Sequence, residues 1–164
     1  MKKYLYIMIS ALALLTISCE EDTDPGRTSV EEMAGDWWVR YELEDGGEWV
    51  DLAGYQRFTT YNTSGNNATE MWINDGAHFW DFSGVVSVDY PNKTFKTNGM
   101  IENNSYESQF EIIDGKVLAG KAITPSGQPA DSLVFFVKFS DDTDGLTYKV
   151  SGFRRTGFPA DDFE

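Results

Sequence analysis

The sequence predicts an all-β fold: an antiparallel meander barrel of about eight strands. Three observations lead there. Apolar and polar residues alternate with period two from Asp36 onward. Turn residues separate the runs at short intervals. No amphipathic segment is long enough to read as a helix. Short strands joined by local turns favour closure, because a closed barrel has no exposed edge. A two-sheet sandwich is the alternative, since it produces nearly the same pattern.

The first run is "DWWVRYELEDGGEW", where Trp37, Val39, Tyr41 and Leu43 alternate with Trp38, Arg40 and Glu42, and "EDGG" reads as a turn. "YQRFTTYNT" and "ATEMWIND" follow, separated by "NTSGNN", and "NDG" predicts a hairpin turn. The run "HFWDFSGVVSVDY" predicts one long strand from His78 to Tyr90, with Gly84 marking a bulge or bend and "YPNKT" a turn. In "SYESQFEII", Tyr106, Ser108, Phe110 and Ile112 share a face, and "DGK" at Asp114–Lys116 predicts a second hairpin into "KVLAGKAIT". "SLVFFVKF" and "LTYKVSGFRRT" complete the set. The acids of "SDDTDG" between them are misspaced for a calcium loop and predict a turn.

The first residues carry an address. Lys2 and Lys3 precede an apolar stretch from Leu5 to Ile17, which is short for a membrane span and suited to an export signal. Small Ser18 then precedes Cys19, the only cysteine in the chain. A lone thiol in an exported protein needs a role other than an internal disulfide. "TISC" resembles the lipobox of bacterial lipoproteins, with Thr16 where an aliphatic residue is commoner. That resemblance implies cleavage before Cys19 and acylation of Cys19, hence a membrane anchor. "EEDTDPG" then reads as an acidic linker and resembles the surface-export signal of lipoproteins from the Bacteroidetes. The expected organisation is a signal peptide at 1–18, a linker at 19–32 and one barrel domain at 33–164. The expected location is the outer membrane, with the acidic leader pointing to the cell surface.

Without residues 1–18 the chain holds 11 basic and 27 acidic residues, a formal charge of −16. Nucleic acid is therefore not an expected partner, because phosphate contacts need clustered Lys or Arg. One histidine and one committed cysteine leave little from which to build a zinc or iron site, and no metal or cofactor is expected.

His78 is the obvious catalytic suspect, but no GxSxG elbow occurs, and the nearness of Asp75 and Asp81 in sequence does not make a triad. No catalytic residue is assigned. The aromatic residues suit binding, since apolar pockets are lined by rings with a few polar groups for orientation. Trp72, Trp80, Phe82, Tyr41 and Phe58 are the predicted lining of a ligand site. Arg154 or Arg155, in "GFRRTGF", points inward by parity, and Arg154 is the candidate anchor for a carboxylate head group; a salt bridge to one of the many acids is the competing reading.

The segments "AGDWWVRYEL", "TTYNTSGNNATEMWINDGAHFWDFSGVVSVD", "ITPSGQPADSLVFFVKFSDD" and "TYKVSGFRRTGF" resemble a lipoprotein family called lipid-binding putative hydrolase. The resemblance spans nearly all of residues 34–158. It implies a compact lipocalin-like barrel and supplies no catalytic residues. "DSL" at Asp131–Leu133 also resembles a short O-glycosylation motif of exported proteins. The combined expectation is a lipid-anchored envelope protein that binds a hydrophobic small molecule or lipid. A filled barrel acting as a surface interaction module and a hydrolase using His78 are the alternatives.

Overall fold

The computed structural model describes residues 26–163; the leader, Cys19 and most of the expected linker lie outside the described residues. The described residues form ten strands: β1 (Gly35–Asp45), β2 (Glu48–Asp51), β3 (Gln56–Asn62), β4 (Glu70–Asn74), β5 (Ser83–Asp89), β6 (Thr94–Lys96), β7 (Ile101–Glu102), β8 (Gln109–Ile123), β9 (Pro129–Phe139) and β10 (Tyr148–Arg154). Eight of them close into an antiparallel barrel in the order β1, β3, β4, β5, β6, β8, β9, β10. The seam is β1 against β10, in register from Trp37 opposite Arg154 to Glu42 opposite Lys149. β2 extends the far half of β1, and β7 extends the start of β8.

Period-two alternation decides what enters the interior. Trp37, Val39 and Tyr41 of β1, Phe58 of β3, Met71 and Ile73 of β4, and Phe135 and Val137 of β9 are all fully buried. An eight-stranded barrel is just wide enough for such side chains to fill it, and here the rings touch. Phe58 lies 5.3 Å from Phe135 and 6.0 Å from Phe82, and Phe82 lies 5.1 Å from Phe110 and 5.2 Å from Phe139. Each such burial contributes about 1.5–3 kcal/mol. Aromatic side chains therefore occupy the middle of the barrel.

Several local expectations change. "NDG" does not turn a hairpin: β4 stops at Asn74, β5 starts only at Ser83, and His78–Phe82 belongs to the loop between them. "DGK" does not turn one either, because β8 runs through it. Asp114 adopts the left-handed conformation (φ 50°) that the dipeptide favours, but spends it on a bulge, where the β8–β9 register shifts. Gly115 is required there because a Cβ would lie 2.5 Å from the Phe95 ring. Gly84 shifts no register; it makes room for Phe110, whose ring would be 2.8 Å from a Cβ. Thr28–Met33 forms a turn that seals one end of the barrel, with Val30 and Met33 wholly buried.

Outside the wall, Trp38 and Phe153 are buried by the chain's last residues. Phe163 packs edge-on against Trp38 at 5.3 Å and stacks on Tyr55 at 4.3 Å. Asp162 holds this tail by accepting from Arg155 and from Trp38 Nε1 (3.1 Å), and these bonds, Arg155 first, hold its carboxyl down at about 2.

Candidate functional site at the lid end of the barrel

The end opposite the Thr28–Met33 turn is covered by the loop Asp75–Phe82, the heart of "MWINDGAHFWDFSG". Its path begins with Asn74, whose Oδ1 accepts from the Gly76 N–H at 2.6 Å, a side-chain turn typical of Asn. Gly76, Ala77 and Asp81 then take left-handed φ values of 64°, 61° and 51°. Two non-glycine residues in that region are strained positions that the surroundings must hold in place.

Asp75 holds them. Its carboxylate is fully buried, and Oδ2 accepts the backbone N–H groups of Phe79 (2.9 Å), Trp80 (3.1 Å) and Asp81 (3.1 Å). Oδ1 accepts the hydroxyl of Tyr41, and the Asp75 N–H donates to the carbonyl of Phe82 at 2.9 Å. Burial above all, then the charge and hydrogen bond of Asp75, pushes the Tyr41 hydroxyl well above its ordinary pKa. Tyr41 thus stays a proton donor to the carboxylate. One side chain ties the whole loop to the barrel wall.

The loop lays two rings over the interior. Phe79 stacks on Tyr41 at 4.1 Å, and Trp80 stacks on Phe139 at 4.6 Å with its plane 3° from parallel. Trp80 Nε1 donates to Asp141 Oδ1 (3.1 Å), and the Tyr106 hydroxyl donates to Asp141 Oδ2 (2.5 Å). The bond from Tyr106, followed by that from Trp80, holds Asp141 below the usual carboxylate range. Beside them, burial and then Asp142 push the Tyr148 hydroxyl up to about 12. Phe79 and Trp80 remain half-buried, so this aromatic cover meets water on its outer side.

The predicted lining residues do not form one group. Tyr41, Phe58 and Phe82 lie inside the barrel, fully buried, and Trp80 lies in the lid. Trp72 points out of the barrel, where it stacks on Tyr61 at 6.1 Å; its neighbours Met71 and Ile73 point inward instead. Arg154 lies at the opposite end. It donates to Asp131 Oδ2 (3.1 Å) and to the carbonyls of Ala34 and Glu32, and it covers the Trp37 ring at 4.3 Å. It is a brace for the sealing turn, the salt-bridged reading of that residue. The residues missed are Asp75, Phe79 and Asp141. Taking "NDG" for a plain turn hid the first, whose place before a run of free amides was the available clue.

His78 sits at the loop's outer edge, exposed, and its ring makes no hydrogen bond to a carboxylate or hydroxyl among the described residues. A cleft of about 390 Å³ runs beside it, lined by Arg57, Thr59, Asn74 and Gly76. Ser132 of "DSL" lies within β9, opposite Phe153 on one side and Leu118 on the other.

No curated protein matches the chain. The model of the family described as lipid-binding putative hydrolase matches residues 22–159, which include the whole barrel, the sealing turn and the lid, and the chain belongs to that family.

Proposed function

We propose that the protein is an acyl-anchored outer-membrane lipoprotein that binds an amphipathic lipid non-covalently at the lid end of its barrel. The observation that carries this reading is the construction of the lid. Phe79 and Trp80 cover an aromatic interior, yet the loop that bears them is fixed by polar bonds to one carboxylate. Polar ties exchange with water at modest net cost, about 1.5–3 kcal/mol per hydrogen bond to a charged group, whereas the rings beneath offer a lipid chain an apolar surface. Ligand entry then consists of Phe79 and Trp80 swinging outward while an acyl chain takes their place against Tyr41, Phe82 and Phe139. Family membership supports a lipid or other hydrophobic ligand. Acylation of Cys19 supplies the membrane attachment, since two or three acyl chains anchor a protein stably.

Titration of oleate or a lysophospholipid, followed by tryptophan fluorescence and native mass spectrometry, tests the binding. The expected result is a saturable change that Trp80→Ala abolishes and a one-to-one complex in the mass spectrum. Absence of both, with no lipid on protein purified from its own envelope, sinks the lipid reading. The dense packing of rings in the interior favours a second reading, a filled barrel acting through its surface, and that outcome would select it.

A further inference from the structure

The two ends of the barrel differ in charge as sharply as in closure. The loops at the lid end, residues 44–55, 75–82, 97–108 and 140–147, carry eleven carboxylates and neither lysine nor arginine. The loops at the sealed end, residues 26–34, 63–69, 90–93, 118–128 and 155–163, are balanced: Arg27, Lys93, Lys121 and Arg155 against Glu31, Glu32, Asp161 and Asp162. The sealed end also bears the two most exposed large apolar side chains among the described residues, Ile123 at 68% and Phe158 at 60%. Ile123 ends β8 where the β8–β9 arm projects beyond the barrel, and the turn after it meets the chain's last segment, with Ser126 bonded to Asp161. Phe158 and Pro159 line a largely apolar hollow with Ser126 and Gln128.

The described chain starts at this same end, where Ser29 bonds Asn66 and Glu32 pairs with Lys93. Six residues separate Cys19 from Gly26, and the seven steps between the two reach at most about 25 Å, roughly the length of one barrel strand. We infer that the sealed end, led by Ile123 and Phe158, rests in the head-group region of the bilayer, with the lid facing away. This orientation rests on the proposed anchor at Cys19. A bilayer is the occupant that fits: the patch is small and charge-balanced, and the tether delivers it to a lipid surface. The acid-rich lid end would meet repulsion from anionic head groups.

Hydroxyl-radical footprinting on phosphatidylcholine nanodiscs tests the orientation. The full chain is coupled through Cys19 to a maleimide phospholipid, so that tethering does not depend on native acylation. Oxidation of Phe158 and Ile123 is expected to fall at least fivefold relative to the uncoupled chain, while Trp49 and His78 keep their solution rates. Undiminished oxidation of Phe158 and Ile123, or shielding of Trp49 and His78 instead, overturns the proposal. Intact-mass measurement of protein taken from its own membrane separately reads acylation, and an unmodified Cys19 there sinks the anchor without touching the footprint.

Discussion

The barrel is closed at one end by apolar contact and at the other by a polar tie. At the sealed end Val30 and Met33 enter the interior, and the Met33 carbonyl is fixed at 2.6 Å by Thr60, which itself accepts from Trp37 Nε1 at 2.9 Å. Arg154 braces the same turn from outside. At the lid end no aliphatic plug enters from the loop; rings lie across the opening, and Asp75 holds their backbone. The difference teaches which end can open. Withdrawing a buried Met leaves apolar surface in water, while releasing Asp75 exchanges hydrogen bonds for others of similar strength.

The strongest way to break this comparison is to remove the tie itself. Asp75→Ala leaves the buried Tyr41 hydroxyl and three partly buried loop amides without their acceptor; a buried donor left unsatisfied costs about 1–3 kcal/mol, and the amides recover part of theirs by moving into water. The expected loss is about 3–5 kcal/mol in denaturant unfolding, with the lid amides becoming fast in hydrogen exchange. Met33→Ala at the other end is expected to cost about 2–5 kcal/mol, the range for a buried methionine truncation, and to leave the lid amides as they were. If Asp75→Ala costs less than 1 kcal/mol, or if Met33→Ala also frees the lid, the two closures are not independent.

A smaller change sharpens it. Trp80→Ala removes the stack on Phe139 and the bond to Asp141 but keeps every backbone bond to Asp75. A half-buried ring so placed is expected to contribute about 1–2 kcal/mol, counting its aromatic contact. The lid backbone should stay protected in hydrogen exchange, in contrast to Asp75→Ala. Loss of protection across 75–82 would mean that the rings, not the carboxylate, hold the lid.

The barrel was legible because alternation is a local property: Trp37, Val39 and Tyr41 announce one face of β1 without reference to any partner. The site was less so, because its residues act against local rules. Asp75 and Asp114 both sit in "DG" or "NDG" contexts that favour tight turns, yet one became the anchor of an eight-residue loop and the other a bulge inside a fifteen-residue strand. What decided each case lay elsewhere in the chain: Tyr41 for the first, and Phe95 packed against Gly115 for the second. Trp72 shows the same limit. Its parity is fixed only by pairing opposite Tyr61 and Val85, and sliding β4 by one residue would have turned it inward.

The smallest expected effect separates the ends by pH. The raised tyrosines all lie at the lid end: Tyr41, Tyr106 and Tyr148, each by burial first and then by its aspartate. A tyrosine whose pKa is higher folded than unfolded lends stability that is complete below about 10 and fades as pH rises through the folded value. For Tyr148 that window is from about 10 to about 12. Two carboxyls of the tail at the sealed end, Asp161 and Asp162, are lowered. Burial opposes the first, but bonds from Ser126 and Thr156 outweigh it; Arg155 leads for the second. Such carboxylates lend stability that is complete above about 4 and is lost as pH falls through the folded value, about 2 for Asp162. Alkaline titration followed at 295 nm should therefore loosen the lid amides while the tail stays docked. Acid should release Phe163 from Trp38, shifting Trp fluorescence between pH 4 and pH 2. Asp162→Asn should flatten that acid step alone. An acid step that frees the lid before the tail would show that Asp141, rather than the tail pair, gives way first.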